Sequence, residues 1–428
     1  MDGAALAAPV AIQRSTLHAP RSTLHDMRPF DQRRLLLGVT GGIASYKSAW
    51  LARLLTKAGA EVDVVLTPSA TEFIGAITFE ALTGRQVHRG LFDPGNALDH
   101  IALARAAQAV VVAPATADFL ARAASGQAGD LLTAILLATQ APVLLVPAMN
   151  DRMWAHGQTQ RNVGHLQELG YRVLPPDEGM LAAGEGSGPG RMPEPEAIMA
   201  HIGRLIEPDS VLAGKRIVVT AGPTREPIDP VRYISNHSSG KMGVAVAAAA
   251  WRRGADVVLI AGPLAVDLPS GIDARHVETT EEMATAVERA LPSADVLVMA
   301  AAPEDFRVAE PASSKIKKHK APAAIALAPT PDILTRTRDV RRKGSVIVGF
   351  ALETDDALTG GREKLAAKTL DLIVVNDARE PGAGFAVDTN RVTLLGRDGS
   401  EEALPLQSKA EVADEILDRV ERLIDGRR

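Results

Sequence analysis

The 428-residue chain contains no cysteine. Disulfides, thiolate metal sites and a cysteine nucleophile are therefore excluded. Aromatic residues make up only 3% of the chain, so its cores must be built mainly from Ala, Val, Leu and Ile. No apolar run approaches the roughly 18–20 residues of a membrane span, and the first thirty residues lack the compact apolar core of a signal peptide. The cytoplasm is the expected location. A large excess of charge is missing too: a formal net charge of −5 gives no general attraction to nucleic acid or to an anionic membrane. Any phosphate chemistry must come from local basic clusters.

What the chain does contain is room and pattern. With 46% hydrophobic and 23% charged residues over 428 positions, it has the size for two globular domains, which usually run to about 100–200 residues each. Residues 1–33 hold a short repeat, Arg14-Ser-Thr-Leu-His18 then Arg21-Ser-Thr-Leu-His25, with Met27 just behind it. They read as a disordered extension, with Met27 a candidate natural start. From Leu35 the pattern changes. Leu35–Thr40 is an apolar run that stops at Gly41-Gly42 and opens into an amphipathic stretch from Ala44 to Ala58, which predicts strand, glycine turn and helix. Apolar runs at 61–67, 109–113 and 141–146 follow, with helix-like sequence between them. The cycle restarts at Arg216–Thr220 and continues through 256–260, 295–299, 345–349 and 370–375. Arg391–Leu395, backed by Gly396-Arg-Asp-Gly399, predicts a hairpin, and Lys409–Ile424 a final amphipathic helix. Alternation of this kind gives parallel sheets covered on both faces. The fold class expected is α/β, with two doubly wound Rossmann-like domains at 34–208 and 209–428, joined through the polar segment Glu207–Gly214.

In an open α/β sheet, ligands bind beyond the carboxyl ends of the strands, and a glycine turn at a helix N-terminus offers N–H groups to a phosphate. Gly41, Gly42 and Ser45 stand at such a turn. The turn is not Gly-x-Gly-x-x-Gly, and the second strand ends in Thr67-Pro-Ser69 where a dinucleotide site would place an acid for the ribose, which argues against NAD. Taken singly, a glycine pair after a strand is a tight turn, His100 a structural hydrogen-bonding residue and Asn150 a turn residue. Their joint occurrence with Ala113-Pro-Ala-Thr-Ala-Asp118 and Pro147-Ala-Met-Asn150, where strand ends should converge, reverses that reading.

Together these segments closely resemble the flavin-dependent cysteine decarboxylases, specifically the phosphopantothenoylcysteine branch, over about residues 34–195. The resemblance implies a flavodoxin-like flavoprotein domain with FMN against Gly42, Ser45, Thr67, Ser69 and the turn Pro114-Ala115-Thr116. It also implies His100 as the active-site histidine and Asn150 on the substrate carboxylate. In that chemistry the flavin oxidises the thiol end towards a thioaldehyde, which takes the electrons released with carbon dioxide; the resulting enethiolate is then protonated and reduced. One departure bears on the protonation. The family commonly carries a cysteine, the proposed proton donor, ahead of a glycine-rich flap ending in Gly-Arg-Met. Here the segment is Leu181-Ala-Ala-Gly-Glu-Gly-Ser-Gly-Pro-Gly-Arg-Met192, with Ala183 at that position. Either water or Glu185 donates instead, or the domain is impaired and releases an unsaturated thiol. Gly129, where Asn is more usual, is a smaller departure.

The densest signal runs from Thr220 to Gly243. A loop so long and polar between strand and helix is more often functional than structural. Its end, Ser238-Ser239-Gly240-Lys241, supplies hydroxyls and N–H groups at a helix start, yet it is not a Walker A loop, because no glycine stands five residues before Gly240 and Met242 follows the lysine. The bland alternative is a well-capped helix behind a Pro-rich approach. The stretch matches the signature of the phosphopantothenate–cysteine ligases, and the resemblance extends over about 214–425. It implies nucleotide contacts from Ala301, Asp305, Lys315, Thr330, Pro331, Asp332, Ile333, Phe350, Lys364 and Lys368. Thr330 stands where the family often has Asn. Gly222, Ser238, Ser239 and Gly240 would hold phosphate or substrate, and Arg232 and Asn236 the acyl-cytidylate. Lys364 and Lys368, spaced i, i+4, share one helix face. A carboxylate must be activated before an amine can displace its oxygen; attack on the α-phosphate of CTP, with Mg²⁺ and lysines offsetting triphosphate charge, achieves this. In isolation, Lys315–Lys320 reads as a solvated basic loop. The expected partners are small molecules (4′-phosphopantothenate, cysteine and CTP), with assembly as a homo-oligomer.

Overall fold

The computed structural model describes residues 29–91, 98–181, 184, 186–207, 210–269, 271–317, 324–353, 357–377, 384 and 387–427. Most of the extension expected at 1–33, together with Ala183, Glu185 and the end of the lysine run, lies outside the described residues. The last residues of that extension depart from expectation. Phe30 is fully buried in the first core, and the Gln32 N–H donates to the Gly59 carbonyl at 3.0 Å, so residues 29–33 belong to the fold. Burying a phenylalanine contributes about 1.5–3 kcal/mol, which an isolated apolar side chain in a polar stretch conceals from sequence periodicity.

The first sheet has six parallel strands: β1 (Arg34–Val39), β2 (Glu61–Leu66), β3 (Val87–His88), β4 (Ala109–Ala115), β5 (Val143–Pro147) and β6 (Arg172–Val173). Their order is β3-β2-β1-β4-β5-β6. Without the two-residue edge strand β3 this is the flavodoxin order 2-1-3-4-5. Helices cover both faces, so a central strand is apolar throughout; β4 is buried at every position. The covering helices are α1 (Ser45–Lys57), α2 (Ala76–Thr83), α3 (Asp99–Ala106), α4 (Ala117–Ala124), α5 (Leu131–Ala138), α6 (Asp151–Ala155) and α7 (Gly157–Glu168). A hairpin of β7 (Asp177–Met180) and β8 (Ser187–Arg191) follows, and then α8 (Pro195–Ile206), which returns Ile198, Met199 and Ile202 to this core.

In the second half, β9 (Arg216–Ala221), the short pair β10 (Glu226–Pro227) and β11 (Tyr233–Ile234), and β12 (Asp256–Ala261) come first. Next are β13 (Asp273–His276), β14 (Val296–Met299), the antiparallel pair β15 (Phe306–Val308) and β16 (Leu327–Pro329), β17 (Val346–Glu353) and β18 (Leu372–Asp377). Last come β19 (Thr389–Asn390), β20 (Val392–Gly396), β21 (Glu401–Ala403) and β22 (Gln407–Ser408). The large sheet runs β13-β12-β9-β14-β17-β18-β20-β21. It is parallel as far as β18, and the expected hairpin β20–β21 adds the antiparallel edge. Of the helices α9 (Lys241–Arg252), α10 (Thr280–Ala290), α11 (Ile333–Arg336), α12 (Ala357–Ala367) and α13 (Lys409–Asp425), α9 and α13 share one face, where Val246, Ala247, Ile416 and Leu417 pack on Val219 and Val298. On the other face, Met283 and Val287 of α10 pack with Leu297 and Ile347.

The halves meet at α8 and α9. The Arg204 guanidinium lies 4.7 Å from the centroid of the Trp251 ring and donates to the carbonyls of Trp251, Ala255 and Gly254. His201 meets the same ring edge-on at 4.9 Å, and Arg252 pairs with Glu207 at 2.6 Å.

Candidate functional site

After β1 the chain turns almost at once into α1, and Gly41 is what lets it pass: a Cβ there would sit 2.4 Å from the Ser69 Cβ. From β1 the chain winds one way to β2, while β4 lies on the other side, which leaves a crevice at the carboxyl ends of the strands. The crevice is a cavity of about 570 Å³ whose walls include Gly42, Thr67, Ser69, Pro114, Thr116 and Asn150, with Met180 and Arg191 contributed by the hairpin. That volume suits a cofactor-sized ligand. Side-chain to backbone bonds set the rim. The Thr40 hydroxyl donates to the Pro114 carbonyl at 2.8 Å and accepts from the Thr116 N–H at 3.1 Å; Ser48 donates to the Ala113 carbonyl at 2.6 Å. Thr116 caps α4 by accepting from the Phe119 N–H at 3.3 Å. Ser45 and Ala115 are buried behind this wall and do not line it.

Asn150 both lines the cavity and caps α6, its Oδ1 accepting from the Arg152 N–H at 3.0 Å. Capping a helix thus does not take Asn150 away from the cavity. His100 is not brought to this cavity: it is the second residue of α3, with Nδ1 buried and without a partner among the described residues. Lys47, Asp118 and Arg122 also line the cavity and were not anticipated as site residues. Lys47 is buried, donates to the Met192 carbonyl at 2.7 Å and pairs with Glu194 at 3.1 Å, tying the root of the hairpin to α1. Its signal was available: a lysine in the first turn of a helix opposes the macrodipole and needs a reason to be there. Asp118 and Arg122 pair at 3.0 Å, and Arg122 reaches Asp130 at 2.6 Å. Burial pushes the Asp130 carboxyl up, but the Thr133 N–H and Arg122 outweigh it and hold the group below its ordinary value.

In the second half, Gly240 opens α9 at φ 78°, a left-handed conformation that other residues rarely adopt. Ser238, Ser239 and Gly240 face Ala301 and Phe350 across a cleft of about 200 Å³ at the carboxyl ends of the sheet. Gly222 packs behind Gly240 and does not line this cleft. Its far wall, which sequence reading missed, is Asn376, Asn390 and Lys409. The Lys409 ammonium donates to the carbonyls of Gly384 at 2.9 Å, Val387, and Thr389 at 3.4 Å. Burial and then the charge of Lys241 lower its pKa to about 8.

Beside the cleft lies a second cluster, around 302–305. The Asn236 amide donates to the Ala302 carbonyl at 2.7 Å and to Glu304 at 2.9 Å, and its oxygen accepts from the Ser238 N–H at 3.0 Å. The Thr330 N–H donates to the Asp305 carbonyl at 3.0 Å and its hydroxyl to the Glu304 carbonyl at 2.5 Å. Lys368 pairs with Asp332 at 3.2 Å; Asp332 follows the half-buried Pro331 and caps α11. Ile333 is buried in the core, which leaves its backbone as the part a ligand could reach. Lys364 and Lys315 are exposed and do not line the cleft. Arg232 turns its guanidinium to Asp229 and to the Ile316 carbonyl, at 3.0 Å.

A cavity at a topological switch point in one half, and a glycine-started helix facing strand ends in the other, define a two-domain α/β protein with a candidate ligand site in each half. Residues 24–207 match the Flavoprotein family, and residues 212–423 match the DNA/pantothenate metabolism flavoprotein C-terminal domain. The chain is 48% identical over 410 residues to the "Coenzyme A biosynthesis bifunctional protein CoaBC" of Mycobacterium tuberculosis (strain ATCC 25618 / H37Rv), spanning 92% of this chain and 97% of that one. It is 43% identical over 395 residues to the protein of the same name from Vibrio cholerae, spanning 91% and 98%. Among solved structures, the C-terminal domain of a CoaBC protein aligns with a TM-score of 0.44 and 37% identity, over 51% of this chain and 100% of that one. The chain belongs to the CoaBC family of bifunctional coenzyme A biosynthesis proteins.

Proposed function

We infer that the second domain joins cysteine to 4′-phosphopantothenate through a CTP-derived acyl-cytidylate, and that the first decarboxylates phosphopantothenoylcysteine to 4′-phosphopantetheine with FMN. We place the domains at 29–208 and 209–428, in a cytoplasmic homo-oligomer. The observation that carries the ligase reading is the convergence of Ser238–Gly240, Ala301 and Phe350 on one cleft, with Asn236 beside it on Ala302 and Glu304. There the loop N–H groups and the start of α9 favour an anion. In this reading Asn236, held from both sides, orients the acyl group, while Lys315, Lys364 and Lys368 supply charge towards the triphosphate. Among the described residues no group of three or more His, Asp or Glu side chains is arranged to hold a metal, so Mg²⁺ is expected to arrive with the nucleotide.

In the first domain, the turn at Gly41–Gly42, the rim threonines and the hairpin wall with Met180 and Arg191 fit FMN. Bound there, FMN supplies the two-electron oxidation of the thiol end and the later return of those electrons. In this reading Asn150, oriented by capping α6, holds the substrate carboxylate. Ala183 supports a second reading, in which protonation fails and an unsaturated thiol leaves. Mass spectrometry of the product from phosphopantothenoylcysteine decides: 4′-phosphopantetheine is expected, an aminoethenethiol selects the arrested reading, and unchanged substrate with colourless protein sinks the flavin assignment.

A further inference from the structure

The lysine-bearing segment between β15 and β16 is gripped at one residue. Ile316 has both backbone groups engaged by the same ion pair: its N–H donates to Asp229 Oδ2 at 3.1 Å, and its carbonyl accepts from Arg232 Nη2 at 3.0 Å. Asp229 is itself fixed. Its side chain is fully buried, Oδ1 accepts from the N–H groups of Val231 and Arg232 at 2.9 Å, and Oδ2 accepts from Arg232 Nε at 3.0 Å. The Arg232 hydrogen bond, helped by these N–H groups and opposed by burial, holds the carboxyl well below the usual carboxylate range. Asp229 therefore stays ionised wherever an enzyme works. One more bond, from the Ala312 N–H to the Ile228 carbonyl at 2.9 Å, lays the segment along the same turn.

Packing contributes less to this placement. Below the segment lies a hollow of about 360 Å³ between Ile228, Val308, Ile316 and Ala326, so the apolar side of Ile316 is incompletely filled. Lys315 and Lys317, on either side of the gripped residue, are both exposed. The base of the same excursion closes where the Thr330 N–H meets the Asp305 carbonyl, two positions expected at the nucleotide.

We propose that Asp229 is a positioning residue for the ligase: through Ile316 it fixes where Lys315 stands before the triphosphate arrives. This rests on the reading of Lys315 given above. Asp229 touches no substrate. Without it, the segment must be ordered during binding, and that cost, with a lost charge-assisted bond, corresponds to a weakening of about 10- to 100-fold.

The test uses the full-length protein and two variants, Asp229→Asn, which keeps the shape, and Asp229→Ala, which removes the group. Limited trypsin digestion should cut after Lys315 and Lys317 about tenfold faster or more in both. With CTP and 4′-phosphopantothenate, the KM for CTP should rise about 10- to 100-fold. Adding Lys315→Gln to Asp229→Asn should slow the first step no further than Lys315→Gln alone. Cleavage after Lys315 and Lys317 at the parent rate overturns the proposal, and so do additive losses in the first step. Cleavage spread over the whole second domain in both variants overturns it as well, because Asp229 would then hold the fold rather than the segment. A parent protein that forms no acyl-cytidylate from CTP would sink the reading of Lys315 instead, and the trypsin result would still judge the grip.

Discussion

Lys409 is buried at the start of α13, where the helix dipole opposes a cation, and its ammonium donates to the carbonyls of Gly384 and Thr389. Its pKa of about 8, set by burial and by Lys241, lies below the ordinary 10.5. Between those values the unfolded chain binds the proton more firmly, so stability should rise as pH climbs from about 8 to 10. In Lys409→Met that rise should vanish, as denaturant midpoints across this window would reveal; parallel curves would refute the assignment. In the proposed function, Asn236 and Lys315 serve different ligase steps. Asn236→Asp should let acyl-cytidylate accumulate, since a carboxylate there repels the cytidylate phosphate, whereas Lys315→Gln should slow its formation and keep its level well below that of the parent in a quenched single turnover. Ala183→Cys should speed completion of decarboxylation; an unchanged rate means that another donor already serves. Asn236 and the Ser238–Gly240 turn were legible because they sit within one continuous motif. Asp229, Glu304, Lys47 and Lys409 were not, because their partners lie elsewhere in the chain: Ile316 for Asp229, Asn236 for Glu304, Met192 for Lys47 and Gly384 for Lys409.

Helix starts do double duty in this fold. Thr116 follows β4, caps α4 and forms part of the cavity rim, so one residue serves both stability and cavity shape. Thr116→Ala should cost about 1 kcal/mol through the lost cap and weaken FMN retention, while Thr116→Ser should keep most of both. Thermal melts paired with flavin fluorescence titration check this, and an alanine variant that holds FMN like the parent would remove Thr116 from the site. The long parallel strands could be read from sequence because burial on both faces makes them unbroken apolar runs, as in β4 and β5. The two-residue strands β3 and β6 and the glycine-rich β8 carry too few apolar positions to show any period. The hairpin that closes over the cavity was therefore visible only as a motif, and Lys47 was not recognised as its anchor.

At the scale of the molecule, α8 belongs to the first core yet grips the far end of α9, the helix whose other end meets the cleft. Burial, and then the charge of Arg204, lower the pKa of His201 below its ordinary 6.5. The stability this gives is present above about 6.5 and is lost as pH falls through the lowered value, because the unfolded chain takes up the proton more readily. The melting temperature should accordingly drop more between pH 7.5 and 5 in the parent than in His201→Phe; equal drops would exclude His201 as the cause. Trp251, the ring between Arg204 and His201, is only 8% exposed, whereas Trp50 is 46% exposed. Its emission should be blue-shifted while the halves are docked and move to the red when they part. With Trp50 and Trp154 replaced by phenylalanine, the chain would carry a single built-in optical gauge of docking, read without a label while either active site turns over.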